Sequence, residues 1–194
     1  MPMQTVVVGE GERKDIILAW FGEKEVDEQY EVFLDGDGAE ATIIGIFLGS
    51  DVARYKNYVK LVHKGKNTKG EVWARGVVQH ESHLDFSGML RVEHGAKGTS
   101  TYFNAQFMVL SAKAGAHTFP GLEIHENEIE RGGHAATVSQ VRDEDLFYLM
   151  SRGLSREMAK NIMIRGFFEP VLNMISGLER DKMRVRLKES LRED

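Results

Sequence analysis

Cysteine is absent from this 194-residue sequence. That excludes disulfides, thiolate-bound zinc and a cysteine nucleophile, and leaves nothing pointing to an oxidising compartment. Proline is scarce, at three residues against twenty glycines, so chain reversals are frequent and few of them are set by proline. A positive excess is missing too: 25 Lys plus Arg against 30 Asp plus Glu give a formal charge of −5. A nucleic-acid grip needs a dense cationic face to displace phosphate counterions, and this balance argues against one. The longest apolar run, Ala41 to Leu48, falls far short of the ~20 residues of a membrane span. Thr5 to Val8 is too short for a secretory core. The expectation is a soluble, cytoplasmic protein with neither nucleic acid nor membrane as partner.

Catalytic signatures are lacking as well. There is no G-x-S-x-G elbow for a serine hydrolase. Gly9-Glu10-Gly11 is too short for a dinucleotide or phosphate loop. Gly98 to Thr101 reads as a hairpin turn before it reads as a phosphate cradle.

What is present is a long series of short β runs closed by turn residues. They cover Thr5–Val8, Asp15–Phe21, Gln29–Leu34, Ala41–Leu48 and Tyr58–His63, then Glu71–Gln79, His83–Glu93, Thr101–Leu110, Phe119–Ile124 and Ala135–Val141. Several alternate with the two-residue period of a half-buried strand, as Val72, Ala74, Gly76 and Val78 do. About ten strands with no helix between them predict an all-β body over residues 1–141. No clean internal repeat stands out, so pattern alone puts a sandwich or barrel ahead of a β-solenoid.

From residue 142 to 194 the period becomes helical. Asp143, Glu144 and Asp145 precede a helix carrying Leu146, Leu149 and Met150 on one face, and Gly153 ends it. Ser155 is the N-cap of a second helix with Met158, Ile162 and Arg165 on its stripe. Gly166 loosens or ends that helix, and Pro170 opens a third in which Val171, Ile175 and Leu178 continue the stripe. Beyond Glu179 the balanced charge predicts a solvated, partly frayed tail. Phe147, Tyr148, Phe167 and Phe168 supply more soft apolar surface than one small helical face needs, which suits a partner interface.

Histidine and carboxylate side chains form the remaining candidate site. His80 and His83 converge only if the strand bulges between them. His117, His125 and His134 lie in one segment with Glu123, Glu126, Glu128 and Glu130. That donor set suits zinc or ferrous iron if the fold gathers it. A small metal-dependent enzyme using His117, Glu123, His125 or His134 is therefore one functional reading.

Four blocks of sequence carry a resemblance. They are Ala114 to Ile124 (AGAHTFPGLEI) with Gly133 to Gln140 (GHAATVSQ), and Asp145 to Ser155 (DLFYLMSRGLS) with Gly166-Phe167-Phe168. The others are His63 to Val78 and Phe86 to Gly98. In order and spacing this chain resembles the SufB/SufD family of iron–sulfur cluster assembly scaffolds over residues 57–176. The resemblance implies a mainly β fold: a right-handed parallel β-helix with a small C-terminal α-helical domain, in place of a sandwich or barrel. It also implies a non-catalytic scaffold that pairs through its β-helix, as a homodimer or with a SufB-like partner. A SufC-like ABC ATPase would dock on an exposed surface of Leu146, Phe147, Arg152, Gly153, Leu154, Phe167 and Phe168.

The departures narrow this picture. The family's C-G-A-H-T motif has Ala114 in place of cysteine, upstream of His117, and Gly133 and Ala135 replace the acids that flank the SufB-type histidine. His134 matches the S-H-G-A-T pattern of SufD-type members. No cluster can be held by this chain alone, since it has no thiolates. The resemblance leaves a transient iron–sulfur cluster at an interface, with His134 or His117 as nitrogen ligand beside a thiolate-bearing partner.

Overall fold

The computed structural model describes residues 3–191. Ten strands come first: β1 (Met3–Val8), β2 (Arg13–Phe21), β3 (Glu25–Leu34), β4 (Glu40–Gly49), β5 (Arg54–His63), β6 (Lys69–Val78), β7 (His83–Val92), β8 (Ser100–Val109), β9 (Gly115–Ile124) and β10 (Arg131–Gln140). Three helices follow: α1 (Asp143–Ser151), α2 (Arg156–Leu172) and α3 (Gly177–Ser190). Successive strands go to opposite sheets. One sheet runs β1-β3-β5-β7-β9 and the other β10-β8-β6-β4-β2, and every pairing is parallel. Two strands make one coil, and five coils stack into a parallel β-helix.

The repeat that the sequence conceals is plain in the register. Met3 lies beside Gln29, Glu25 beside Arg54, Arg54 beside His83, and His83 beside Gly115. The coil thus lengthens from 26 to 32 residues along the chain, which hides a fixed period. Its corner marker is conformational: Gly11, Gly38, Asn67 and Gly98 all have φ between +53° and +70°. Glycine and asparagine tolerate that left-handed geometry. At this corner each coil bonds the next, Gly11 N–H donating to Asp37 O, Gly38 to Lys66 O, Asn67 to Lys97 O and Gly98 to Glu128 O, at 2.7–2.9 Å.

Alternate side chains point into the lumen. There Phe86 packs against Phe47, Phe103 and Phe107 at centroid distances of 5.3, 5.8 and 6.2 Å. Gly88 makes room for this cluster: a Cβ on it would come within 2.5 Å of the Phe103 ring and 2.8 Å of the Val59 carbonyl. One corner of the lumen is polar. Buried His63 meets Thr68 through Nδ1 at 2.8 Å, Thr68 meets Thr99 at 3.0 Å, and Thr99 donates to Ala96 O at 2.8 Å. Because the Thr99 proton goes to Ala96, Thr68 donates to Thr99 and accepts from His63 Nδ1–H. The other ring nitrogen, Nε2, is buried without a partner. Burial pushes the His63 pKa down to about 4.

The second sheet is covered on its outer face as well. Ile44, Ile46 and Leu48 of β4 and Val77 of β6 form one apolar cluster with Ile164, Phe168, Val171, Leu172, Ile175, Met183 and Leu187. This explains why Ala41 to Leu48 is the longest apolar run, since a strand buried on both faces loses its alternation. Arg75 fastens the same contact, lying 4.9 Å from the centre of the Phe167 ring and donating to the Phe167 carbonyl.

The helical expectations need correction in four places. Helix α2 runs unbroken through Gly166 and Pro170. The proline removes the N–H that would bond the Gly166 carbonyl, and the buried Phe168, Val171 and Leu172 on either side of it hold the helix together through that lost bond. Met158 and Ile162 are exposed, and the buried stripe is Ala159, Ile164, Phe168 and Val171. Leu178 is 80% exposed and leaves the stripe. The segment after Glu179 is a packed helix, with Met183 and Leu187 buried; the expected fraying of residues 192–194 lies outside the described residues.

Candidate functional site

His117 and His134 do not meet. His117 stands on the outer face of β9, beside Asp85 in the register, and is exposed. His134 stands beside Phe103, on the inward row of β10 in the opposite sheet. It is nevertheless exposed, because no further coil closes over it. His80 and His83 are also separate in role. His80 adopts φ +57°, and its Nδ1 accepts from the Asp51 N–H at 3.1 Å, whereas His83 Nδ1 lies 3.1 Å from the Glu81 carbonyl. Among the described residues, no group of three or more His, Asp or Glu side chains converges to hold a metal ion.

The two ends of the β-helix differ in chemistry. At the β1–β2 end, Lys14 bonds the Val7 carbonyl at 2.7 Å. Gln4 bonds the Tyr30 hydroxyl at 3.1 Å, and that hydroxyl donates to Glu28. Charged and polar groups turned inward blunt an open edge. At the other end β9 and β10 are edge strands of their sheets, and β10 has no buried residue. Its inward row of His134, Ala136 and Val138 offers a largely apolar surface to a further strand.

The helical candidates divide. Leu146 and Phe168, expected on an exposed surface, are buried at 2% and 0% exposure, the first as the buried residue of α1 and the second in the cluster with β4 and β6. Phe167 is half-buried beneath Arg75. Leu154 is half-buried, while Arg152 and Gly153 are exposed; Arg152 lies 5.4 Å from the centre of the Tyr148 ring, and Gly153 ends α1 with φ +91°. Phe147 and Tyr148 are 69% and 64% exposed, and Met150, Met158 and Ile162 of the same α1–α2 hairpin are exposed too. Met158 and Ile162 were missed as surface residues. The series 164, 168, 171 and 175 was the signal for the true buried face.

Local bonds fix the hairpin. The Asp145 carboxylate accepts the Arg142 N–H at 2.8 Å, a bond that holds its pKa below the usual range. Ser155 Oγ caps α2 by accepting from Met158 N–H at 3.2 Å, and Arg156 pairs with Asp143 across the hairpin. Beneath the first half of α2 lies an open cavity of about 530 Å³, lined by Asp51 and His80 from the β corners and by Arg156, Lys160 and Asn161. Apart from Ala159, which is buried, this half of α2 sets Arg156, Lys160 and Asn161 on the cavity side and leaves Met158 and Ile162 exposed. That is the reverse of an ordinary surface helix. No helix among the described residues is long and apolar enough to cross a membrane.

Comparison with known proteins agrees with this architecture. The family described as "SUF system FeS cluster assembly, SufBD core domain" matches residues 2–167. The iron–sulfur cluster assembly protein SufD of Bacillus subtilis is 32% identical over 154 residues, covering 78% of this chain and 35% of that protein. A SufBD family iron–sulfur cluster assembly protein of Mycobacterium leprae is 29% identical over 167 residues, or 82% of this chain and 43% of that protein. One from Mycobacterium tuberculosis is 27% identical over 150 residues, or 77% of this chain and 18% of that protein. The chain thus spans less than half the length of these curated relatives. With its β-helix and with the family match over most of its length, the chain belongs to the SufBD family of iron–sulfur cluster assembly proteins.

Proposed function

We propose that this chain is a non-catalytic scaffold of a Suf-type assembly complex, docking a SufC-like ABC ATPase through the α1–α2 hairpin. The observation that carries the reading is the inverted first half of α2. Phe147, Tyr148, Met158 and Ile162 face away from the β body, while Lys160 and Asn161 line the cavity against it. Aromatic and methionine side chains displayed this way make adaptable protein interfaces.

Pairing uses the open β9–β10 end, with a SufB-like partner or a second copy. The open edge of β10, which carries no proline and a largely apolar inward row, supports it, since an unpaired parallel strand invites further pairing. An iron–sulfur cluster would pass through such an interface as cargo. His134 would supply one nitrogen ligand and a thiolate-bearing partner the sulfur ligands. Co-purification of the cognate ATPase tests the docking claim. The parent chain retains the ATPase, and Phe147→Ala loses it without a change in thermal midpoint. Retention by that variant, or no capture by the parent, overturns the claim.

A further inference from the structure

Two histidines that the proposed function does not use stand side by side on neighbouring coils. His94, in the corner between β7 and β8, and His125, just after β9, are both exposed. Their ring centroids lie 5.6 Å apart with a 46° tilt. A divalent metal ~2.1 Å from one nitrogen of each imidazole puts the ring centres roughly 5–6 Å apart, so the rings already have the spacing that a bridging ion requires.

The backbone beneath them is tied. His125 N–H donates to Val92 O at 2.8 Å, and Gly95 N–H donates to a Glu126 carboxylate oxygen at 2.9 Å. Glu126 also accepts from the Asn127 and Glu128 N–H groups at 2.9 and 3.1 Å. Coils bonded this way pre-organise the imidazoles and lower the ordering cost of binding.

The surrounding charge favours a cation. Glu93, Glu126, Glu128 and Glu130 lie in the two corner segments and Glu123 at the end of β9, against Arg91 at the end of β7, Lys97 in its corner and Arg131 at the start of β10. Arg91 is engaged by Glu93 at 2.9 Å and by Glu123 at 3.7 Å, and Lys97 by Glu128 at 2.6 Å. The balance is negative, while Glu93, Glu123, Glu126 and Glu128 already serve other partners. Two imidazoles with water completing the shell suit a borderline transition metal and not magnesium or calcium.

We infer that His94 and His125 form a two-imidazole clip for a mononuclear divalent transition metal of the zinc class, bridging the last two coils. The site is separate from His134 and from any cluster cargo. Zinc titration of the untagged chain tests it by calorimetry, with histidine ring NMR signals as a second readout. One equivalent of Zn²⁺ should shift the His94 and His125 signals together. His94→Gln and His125→Gln should each weaken binding by at least about tenfold, the scale set by loss of outer-shell partners alone. His117→Gln and His134→Gln should leave binding unchanged. Both residues are exposed, so unchanged thermal midpoints without zinc will show that the variants fold. The inference is overturned if the parent fails to bind zinc at millimolar concentration. It is equally overturned if the stoichiometric site survives both His94→Gln and His125→Gln, or is lost in His134→Gln.

Discussion

Helix α2 carries apolar side chains along its whole length, yet its two halves behave differently. In the second half, Ile164, Phe168, Val171 and Leu172 press on β4 and β6. In the first half, Met158 and Ile162 are exposed, as are Phe147 and Tyr148 of α1, and the side turned to the β body lines a polar cavity. What separates them is the counter-surface. Ile44, Ile46 and Leu48 give the second half somewhere apolar to go, whereas the β corners facing the first half present the polar Ser50, Asp51, Gln79 and His80. Hydrophobicity alone therefore says little about which residues anchor a helix. The strand beneath decides.

Stability measurements can break this contrast. The largest effect is expected at the anchored half: Phe168 is fully buried, and Phe168→Ala should cost about 3–5 kcal/mol in denaturant unfolding. A loss below about 1 kcal/mol would mean that α2 is not fastened there.

The next effect lies in the lumen and depends on pH. His63 has its folded pKa lowered to about 4 from a usual value near 6.5, so the unfolded chain takes up a proton before the native chain does. Its neutral native form is fully stabilising above pH 6.5, and this contribution is lost as pH falls toward 4. The difference is roughly 3 kcal/mol at most. Unfolding free energies of parent and His63→Gln, measured across that window, should diverge in slope; parallel curves would contradict the buried neutral imidazole. Gly88→Ala follows, at about 1–3 kcal/mol, because its methyl group meets the Phe103 ring and the Val59 carbonyl. An unchanged midpoint would show a looser lumen than described.

Much of this architecture was legible in the residues. The ten strands and the Ser155 cap could be read from turn residues and alternation, and the family blocks pointed to a β-helix. The coil repeat was not legible from pattern, because its length drifts from 26 to 32 residues and its corner marker is a backbone angle that Gly and Asn share. Pro170 misled for a physical reason: proline favours the first turn of a helix, whereas here tertiary packing of Phe168, Val171 and Leu172 carries α2 through it. Leu146 and Phe168 looked like surface because an aromatic-rich run has no period of its own. Only packing on β4 and β6 tells Phe168 from Phe147. The charged stretch after Glu179 looked solvated because Met183 and Leu187 are two residues in a highly charged helix.

The smallest stability effect belongs to the open half. Phe147→Ala and Tyr148→Ala should each change the unfolding free energy by no more than about 0.5 kcal/mol, as exposed side chains do. A larger loss would mean that the hairpin is part of the core, and the contrast between the two halves of α2 would fail.

The most direct test of the central claim is amide hydrogen exchange of the full chain with and without the cognate ABC ATPase. The account predicts new protection across α1 and the first half of α2, through about Arg165, with α3 and β4 unchanged. Protection confined to α3 or to the β sheets, with the α1–α2 hairpin exchanging as before, would contradict it.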